Sequence, residues 1–135
     1  MWARRQLHET TIHRIDAEAA AGRRTVPATD VAADGIDELL TCFVTRRRSR
    51  FRLDPPRRIA VEAVDLEEAA WTLTISLEPI VTVPGADPAA DLLVRGPASD
   101  LYLWLWNRAP ADGLDVKGDP ALLAAWREHV QVSWS

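Results

Sequence analysis

The chain has 135 residues, 47% of them apolar, which is enough for one domain with a real core and too few for two large ones. A net charge of −4 excludes a general attraction to nucleic acid or anionic lipid, and the single cysteine, Cys42, excludes an intrachain disulfide and fits a reducing cytoplasm. The N-terminus lacks the apolar core of a signal peptide and no apolar run is long enough to cross a bilayer, so a cytoplasmic protein without a membrane partner is expected.

Residues Trp2 to Ala21 predict a long first helix, ended by Gly22 in the left-handed cap conformation. Its large apolar residues are sparse: Leu7, Ile12 and Ile15, with alanines following. After Pro27 a second helix is expected from Thr29 to Arg48, with Ile36, Leu39, Leu40, Phe43 and Val44 on one face and Gly35 weakening its middle. The Asp54-Pro55-Pro56 break then changes the period to two. Ile59 to Val64 reads as one strand and Trp71 to Leu77 as a second, joined through the charged Asp65 to Glu68 loop. Ile80 to Val83 predicts a third strand and Asp91 to Val94 a fourth, reached through the Pro84-Gly85 turn.

The run from Asp100 to Arg108 is apolar at six consecutive places, so period alone leaves strand and helix open. Ser99 as N-cap and Asp100 in the first turn favour a buried helix. Gly113 to Lys117 reads as a short strand, and Asp119 with Pro120 starts a last helix that turns Leu122, Leu123 and Trp126 inward. The fold class is therefore α+β: a long N-terminal helix, then a small, mostly antiparallel sheet packed with helices.

Glu9 and His13 stand four apart on the first helix, separated by only about 40° around its axis, so both side chains can converge on one ion. The same spacing also describes a plain surface pair, and the residues alone favour that reading. His8 with Glu9 superficially suggests a metalloprotease box, but His13 falls five residues after His8 and the two rings point about 140° apart. A catalytic zinc site needs a third protein ligand, and His129 is the other free imidazole, near the C-terminus in a surface or packing position. The cluster Arg46, Arg47, Arg48, Arg50, Arg52, Arg57 and Arg58 is a candidate phosphate-neutralising patch, but a helix C-terminus also attracts cations and no nucleic-acid readout motif accompanies it. No nucleic-acid partner is expected. Cys42 has no cation close in sequence to activate it, so an inert thiol is expected rather than a mixed disulfide with a small thiol.

Three segments in register carry a family resemblance: Arg4-Arg-Gln-Leu-His-Glu-Thr-Thr-Ile-His-Arg-Ile-Asp-Ala-Glu18, Ala33-Asp-Gly-Ile-Asp-Glu38, and Gly96-Pro-Ala-Ser-Asp-Leu-Tyr-Leu-Trp-Leu-Trp-Asn-Arg108. Together they resemble the mycothiol-dependent maleylpyruvate isomerase family, over nearly the whole chain but only the C-terminal part of a usual member. The resemblance implies residues 1–22 as the last helix of a DinB-like metal-binding bundle and residues 23–135 as an α+β domain similar to sterol carrier proteins. It implies a divalent metal, zinc, with Glu9 and His13 as two of its ligands, a further histidine ligand outside this chain, and mycothiol as thiol cofactor. It places Arg108 at a catalytic position facing the thiol or an acidic substrate, where the residue alone reads equally well as a cation at a helix C-terminus.

On this resemblance the chain is a truncated or stand-alone C-terminal domain with a partial metal site and no isomerase activity alone. It needs a separate bundle chain, or a homodimer through the first helix that brings two Glu9 and His13 pairs across a twofold axis. The alternative is a sterol-carrier-like module for a small hydrophobic ligand, with Trp71, Trp104, Trp106 and Trp126 lining a cavity.

Overall fold

Alternating apolar and polar residues after Pro56 do form a sheet. In a computed structural model that describes residues 2–23, 27–47 and 49–130, β1 (Arg57–Ala63), β2 (Ala70–Ile75), β3 (Val81–Pro84), β4 (Leu92–Gly96) and β5 (Asp115–Gly118) make one five-stranded sheet in the order β3-β2-β1-β4-β5. Arg48 and the side chain of Trp2 lie outside the described residues. All neighbouring strands are antiparallel except β1 and β4, which run parallel with Ile59 opposite Leu92 and Val61 opposite Val94. Four helices accompany the sheet: α1 (Trp2–Ala20), α2 (Thr29–Glu38), α3 (Ala98–Leu105) and α4 (Ala121–His129). The class is α+β, with the long helix first.

Period two decides which strand residues enter the core. Ile59, Val61, Leu73, Ile75, Leu92 and Val94 are all buried on the face that α3 packs against. The opposite face is closed in part by the loop after β3. There the Thr72 hydroxyl donates to the Gly85 carbonyl at 2.7 Å and the Asp87 amide donates back to it at 2.9 Å. In α3 every residue from Leu101 to Leu105 is buried, as an all-apolar helix requires. Trp126 of α4 stacks on Trp104, meets Phe51 edge-on and donates its indole N–H to the Leu105 carbonyl at 3.0 Å, so its single polar atom is satisfied inside the core.

Four boundaries differ from the sequence reading. The second helix does not reach Arg48: regular α geometry ends at Glu38 and a π-helical turn occupies Leu39–Phe43. Side chains there take the helix's own carbonyls, with Thr41 donating to Asp37, Thr45 to Thr41 and Arg46 Nε to Cys42. Such back-bonding loosens a helix end. Ser99 is not the cap of α3. Pro97 stands there, and the Ala98 amide is taken at 3.0 Å by the carboxylate of Asp65 from the β1–β2 loop. Gly113 belongs to a 3₁₀ turn (Ala111–Gly113), so β5 starts two residues later than expected. At the start of α4 Pro120 stands at the N-cap, one residue later than expected, and the carboxylate of Asp119 before it accepts the Ala121 amide at 2.9 Å.

Gly35 owes its place to a close approach rather than to helix propensity. A Cβ built there falls 2.2 Å from the Tyr102 ring and 3.0 Å from His8 Nδ1, so α2 and α3 can touch only because position 35 lacks a side chain. Trp126→Ala is expected to destabilise the fold by about 3–5 kcal/mol, read as a lowered urea midpoint with an unchanged slope.

Candidate functional site

Spacing along α1 sorts its side chains onto two flanks. Arg4, His8, Ile12 and Ile15 recur at three- and four-residue intervals and turn toward α2 and α3; His8 and Ile12 are completely buried. Leu7, expected on the apolar surface, lies off this stripe and is 46% exposed. The inner flank is held by charge as much as by apolar contact. Arg4 Nε donates to Asp34 Oδ2 at 3.0 Å, and its Nη2 donates to the Asp34 carbonyl and to Asp37 Oδ2, both at 2.9 Å. His8 Nε2 stands 2.7 Å from the same Asp34 oxygen. The Trp71 indole donates to Asp37 Oδ1 at 3.0 Å and so ties this clasp to β2.

Burial alone would push the Asp34 carboxyl up, but hydrogen bonds from His8 and Arg4 outweigh it and hold the group below the usual carboxylate range. Burial likewise opposes the charge on Arg4, whose pKa is nevertheless raised by the hydrogen bonds it donates to Asp37 and Asp34. Deeper in the same interface are three polar atoms with no hydrogen-bond partner among the described residues: His8 Nδ1, Glu38 Oε1 and the Tyr102 hydroxyl. Burial pushes the Tyr102 phenol well up, so it stays neutral.

Glu9, His13 and Asp16 form the other flank, within about 60° of one another around the axis. Glu9 Oε1 and His13 Nε2 are 3.7 Å apart, with side chains 31% and 62% exposed. The two groups the sequence singled out as metal ligands therefore stand side by side at the surface. His8 points the other way, and His129 sits on α4 with its ring stacked on Phe51. Among the described residues no cluster of three or more His, Cys, Asp or Glu side chains could hold a metal ion. Glu9 and His13 stand together without a third such side chain among the described residues.

Arg108 is brought to this flank from the far end of α3. Its Nε and Nη2 donate to the two carboxylate oxygens of Asp16 at 2.6 and 3.0 Å, and its Nη1 donates to the Trp106 carbonyl at 2.7 Å. Asn107, in left-handed backbone geometry with φ of 60°, makes the turn that aims it. Asp16 was missed in the sequence, although it lies in the quoted run three residues after His13. The clasp acids Asp34, Asp37 and Glu38 also lay in a quoted motif without an assigned role.

The other candidates resolve into local contacts. Arg57 pairs with Asp91 and Asp119 and Arg58 with Asp87, while Arg46 and Arg52 donate to backbone carbonyls. Arg5 and Arg46 both lie over the Phe43 ring. Cys42 is partly buried, and Arg46 reaches its carbonyl rather than its sulfur. Trp104, Trp106 and Trp126 are core residues. Trp71 borders a groove of about 500 Å³ beside Asp37, Thr82 and Pro84. A cleft of about 570 Å³ runs between the end of α1 and the α3–β5 connection, with Arg108 on its wall.

A family model, the MDMPI C-terminal domain, matches residues 30–125. The chain belongs to that family. No curated protein matches it in sequence. Among solved structures it is similar to a UbiJ-SCP2 ubiquinone synthesis protein, at 21% identity and TM-score 0.51, over 76% of this chain and 95% of that one. It is also similar to the inverting sec-alkylsulfatase Pisa1 from Pseudomonas sp., at 18% identity and TM-score 0.50, over 59% of this chain and 13% of that one. A double mutant of the same sulfatase gives 17% identity and TM-score 0.57, over 81% of this chain and 17% of that one. The chain thus spans less than a fifth of the sulfatase, and these likenesses show a sterol-carrier-like fold alone. The family match begins at Asp30, so α1 lies outside it and is fastened to it by the Arg4, His8 and Arg108 contacts.

Two tests follow from the clasp. Asp34→Asn removes the charge from bonds that are only half-exposed, and is expected to lower stability at neutral pH by about 1 kcal/mol in thermal melts. Because the folded-state pKa of Asp34 is depressed, its contribution is present above the ordinary carboxylate pKa and lost as pH falls through the lowered one. The gap between wild type and Asp34→Asn should therefore close in acid.

Proposed function

We propose that this chain is the C-terminal module of a mycothiol-dependent maleylpyruvate isomerase-like protein. It supplies Glu9 and His13 as two donors of a divalent-metal site, brings Arg108 to the same flank of α1, and has no isomerase activity alone. The observation that carries this reading is the outer flank of α1. The carboxylate and imidazole stand 3.7 Å apart at the surface, on the flank whose Asp16 is paired by Arg108 from 92 residues further along the chain. An i,i+4 surface pair accounts for Glu9 and His13 but not for an arginine brought to the same flank of α1.

Glu9 Oε1 and His13 Nε2 are the atoms that would hold the metal, with the remaining donors coming from a separate bundle chain or from a second copy through a homodimer of α1. Bound there, zinc would supply Lewis-acid chemistry, polarising a carboxylate or carbonyl oxygen or keeping the mycothiol sulfur as thiolate. The chain's own contribution is orientation. The Trp106 carbonyl holds Nη1 of Arg108, and the Nε–Nη2 edge meets the carboxylate of Asp16 in the fork geometry with which arginine takes an acidic group.

The reading of this domain as a binder of small hydrophobic molecules rested on its tryptophans. Trp104 and Trp126 pack on each other in the core, while Trp71 borders a groove of about 500 Å³, so the tryptophans give this second reading less support than the outer flank of α1 gives the first.

Zinc titration of the purified chain, with its solution mass measured alongside, tests the proposal. Wild type should take up zinc weakly, and Glu9→Gln/His13→Ala should lower the affinity by at least about tenfold. Equal zinc content in both proteins would overturn the metal assignment. A dimeric mass with tight zinc would identify the second copy as the source of the missing donors.

A further inference from the structure

The cleft between α1 and α3 and the Asp16–Arg108 pair share one side chain, and that fixes what the cleft can take. Its walls are apolar along Ile15, Leu103, Leu114 and Pro110, while Arg108 and Arg23 stand in its lining. Arg23 has no acidic partner among the described residues. Asp100 and Asp112 line the cleft as well, which disfavours a polyanion. The space of about 570 Å³ suits a small organic molecule rather than an inorganic ion.

Arg108 already carries a carboxylate on its side edge, the two oxygens of Asp16 at 2.6 and 3.0 Å. This fork geometry is the one in which arginine recognises a carboxylate ligand. Asp16 is 46% exposed and its partner 27%, and an ion pair that open to water is weak enough to be exchanged. We propose that the cleft binds a monocarboxylate with an apolar body, and that this ligand takes Arg108 by displacing Asp16, so that the Asp16 side chain is a built-in competitor for the site. This rests on the reading that Arg108 faces an acidic ligand. It adds the apolar body, the cleft that holds it and the exchange itself. Displacement also frees the last turn of α1 from α3, since Asp16 is the α1 residue that Arg108 holds.

The probe is 4-phenylbutyrate, titrated by calorimetry into the full chain, with 4-phenylbutyramide and inorganic phosphate as controls. Wild type should bind the carboxylate and neither control. Asp16→Asn should bind it about fivefold more tightly, which is the competition a half-exposed pair can offer. Arg108→Gln should abolish binding in either background. Amide exchange of residues 16–22 in wild type should quicken when the carboxylate is added, a readout that does not depend on any variant folding. Equal or weaker binding by Asp16→Asn, or unchanged exchange, would overturn the displacement while leaving Arg108 as an acid-recognition residue. Absence of carboxylate binding by both wild type and Asp16→Asn would overturn both. Binding of phosphate in place of the carboxylate would show a simple anion site and overturn the apolar requirement.

Discussion

Asp34 is the centre of the clasp that attaches the first helix to the domain behind it. Asp34 accepts from Arg4 through its carboxylate and its carbonyl, and meets His8 through the same carboxylate oxygen. Without that clasp α1 would offer α2 and α3 little beyond Ile12 and Ile15, because its apolar residues are too few and too scattered for a hydrophobic stripe. Glu9, His13 and Asp16 are carried on α1, so their placement depends on this attachment. The clasp also fixes rotation: with Arg4 and His8 turned inward, Glu9 and His13 must turn outward.

The clasp exists only because two helices come unusually close. Gly35 lets the Tyr102 ring lie against the backbone of α2, and this brings the Asp34, Asp37 and Glu38 stretch to the level where Arg4 and His8 can reach it. Arg108 then closes the second half of the attachment from the other end of α3. A family domain of residues 30–125 thus acquires an added helix by two polar contacts, one on each side of a small apolar patch. Polar fastening of this kind is directional, so it sets the rotation of α1 as well as its position.

Much of the fold was legible in the sequence. Alternation after Pro56 located four strands to within a few residues, and Gly22, with φ of 78°, ends α1 as a left-handed cap residue should. The all-apolar Leu101 to Leu105 run resolved as a buried helix. The end of α2 was not legible, because the signal against it lay in side chains bonding back to carbonyls a turn earlier, which apolar periodicity does not register. Pairing Glu9 with His13 needed only a count of four, whereas the Asp16 contact spans 92 residues and has no spacing signature.

The sequence by itself determined the elements, the fold class and the adjacency of Glu9 and His13, because those follow from local periods along the chain. Only the tertiary structure decided which flank of α1 is buried, that Arg108 reaches the flank that carries Glu9 and His13, and that Asp16 occupies its guanidinium. Those outcomes depend on where α3 ends in space and on how closely Gly35 lets it approach, and neither distance is written in the order of neighbouring residues.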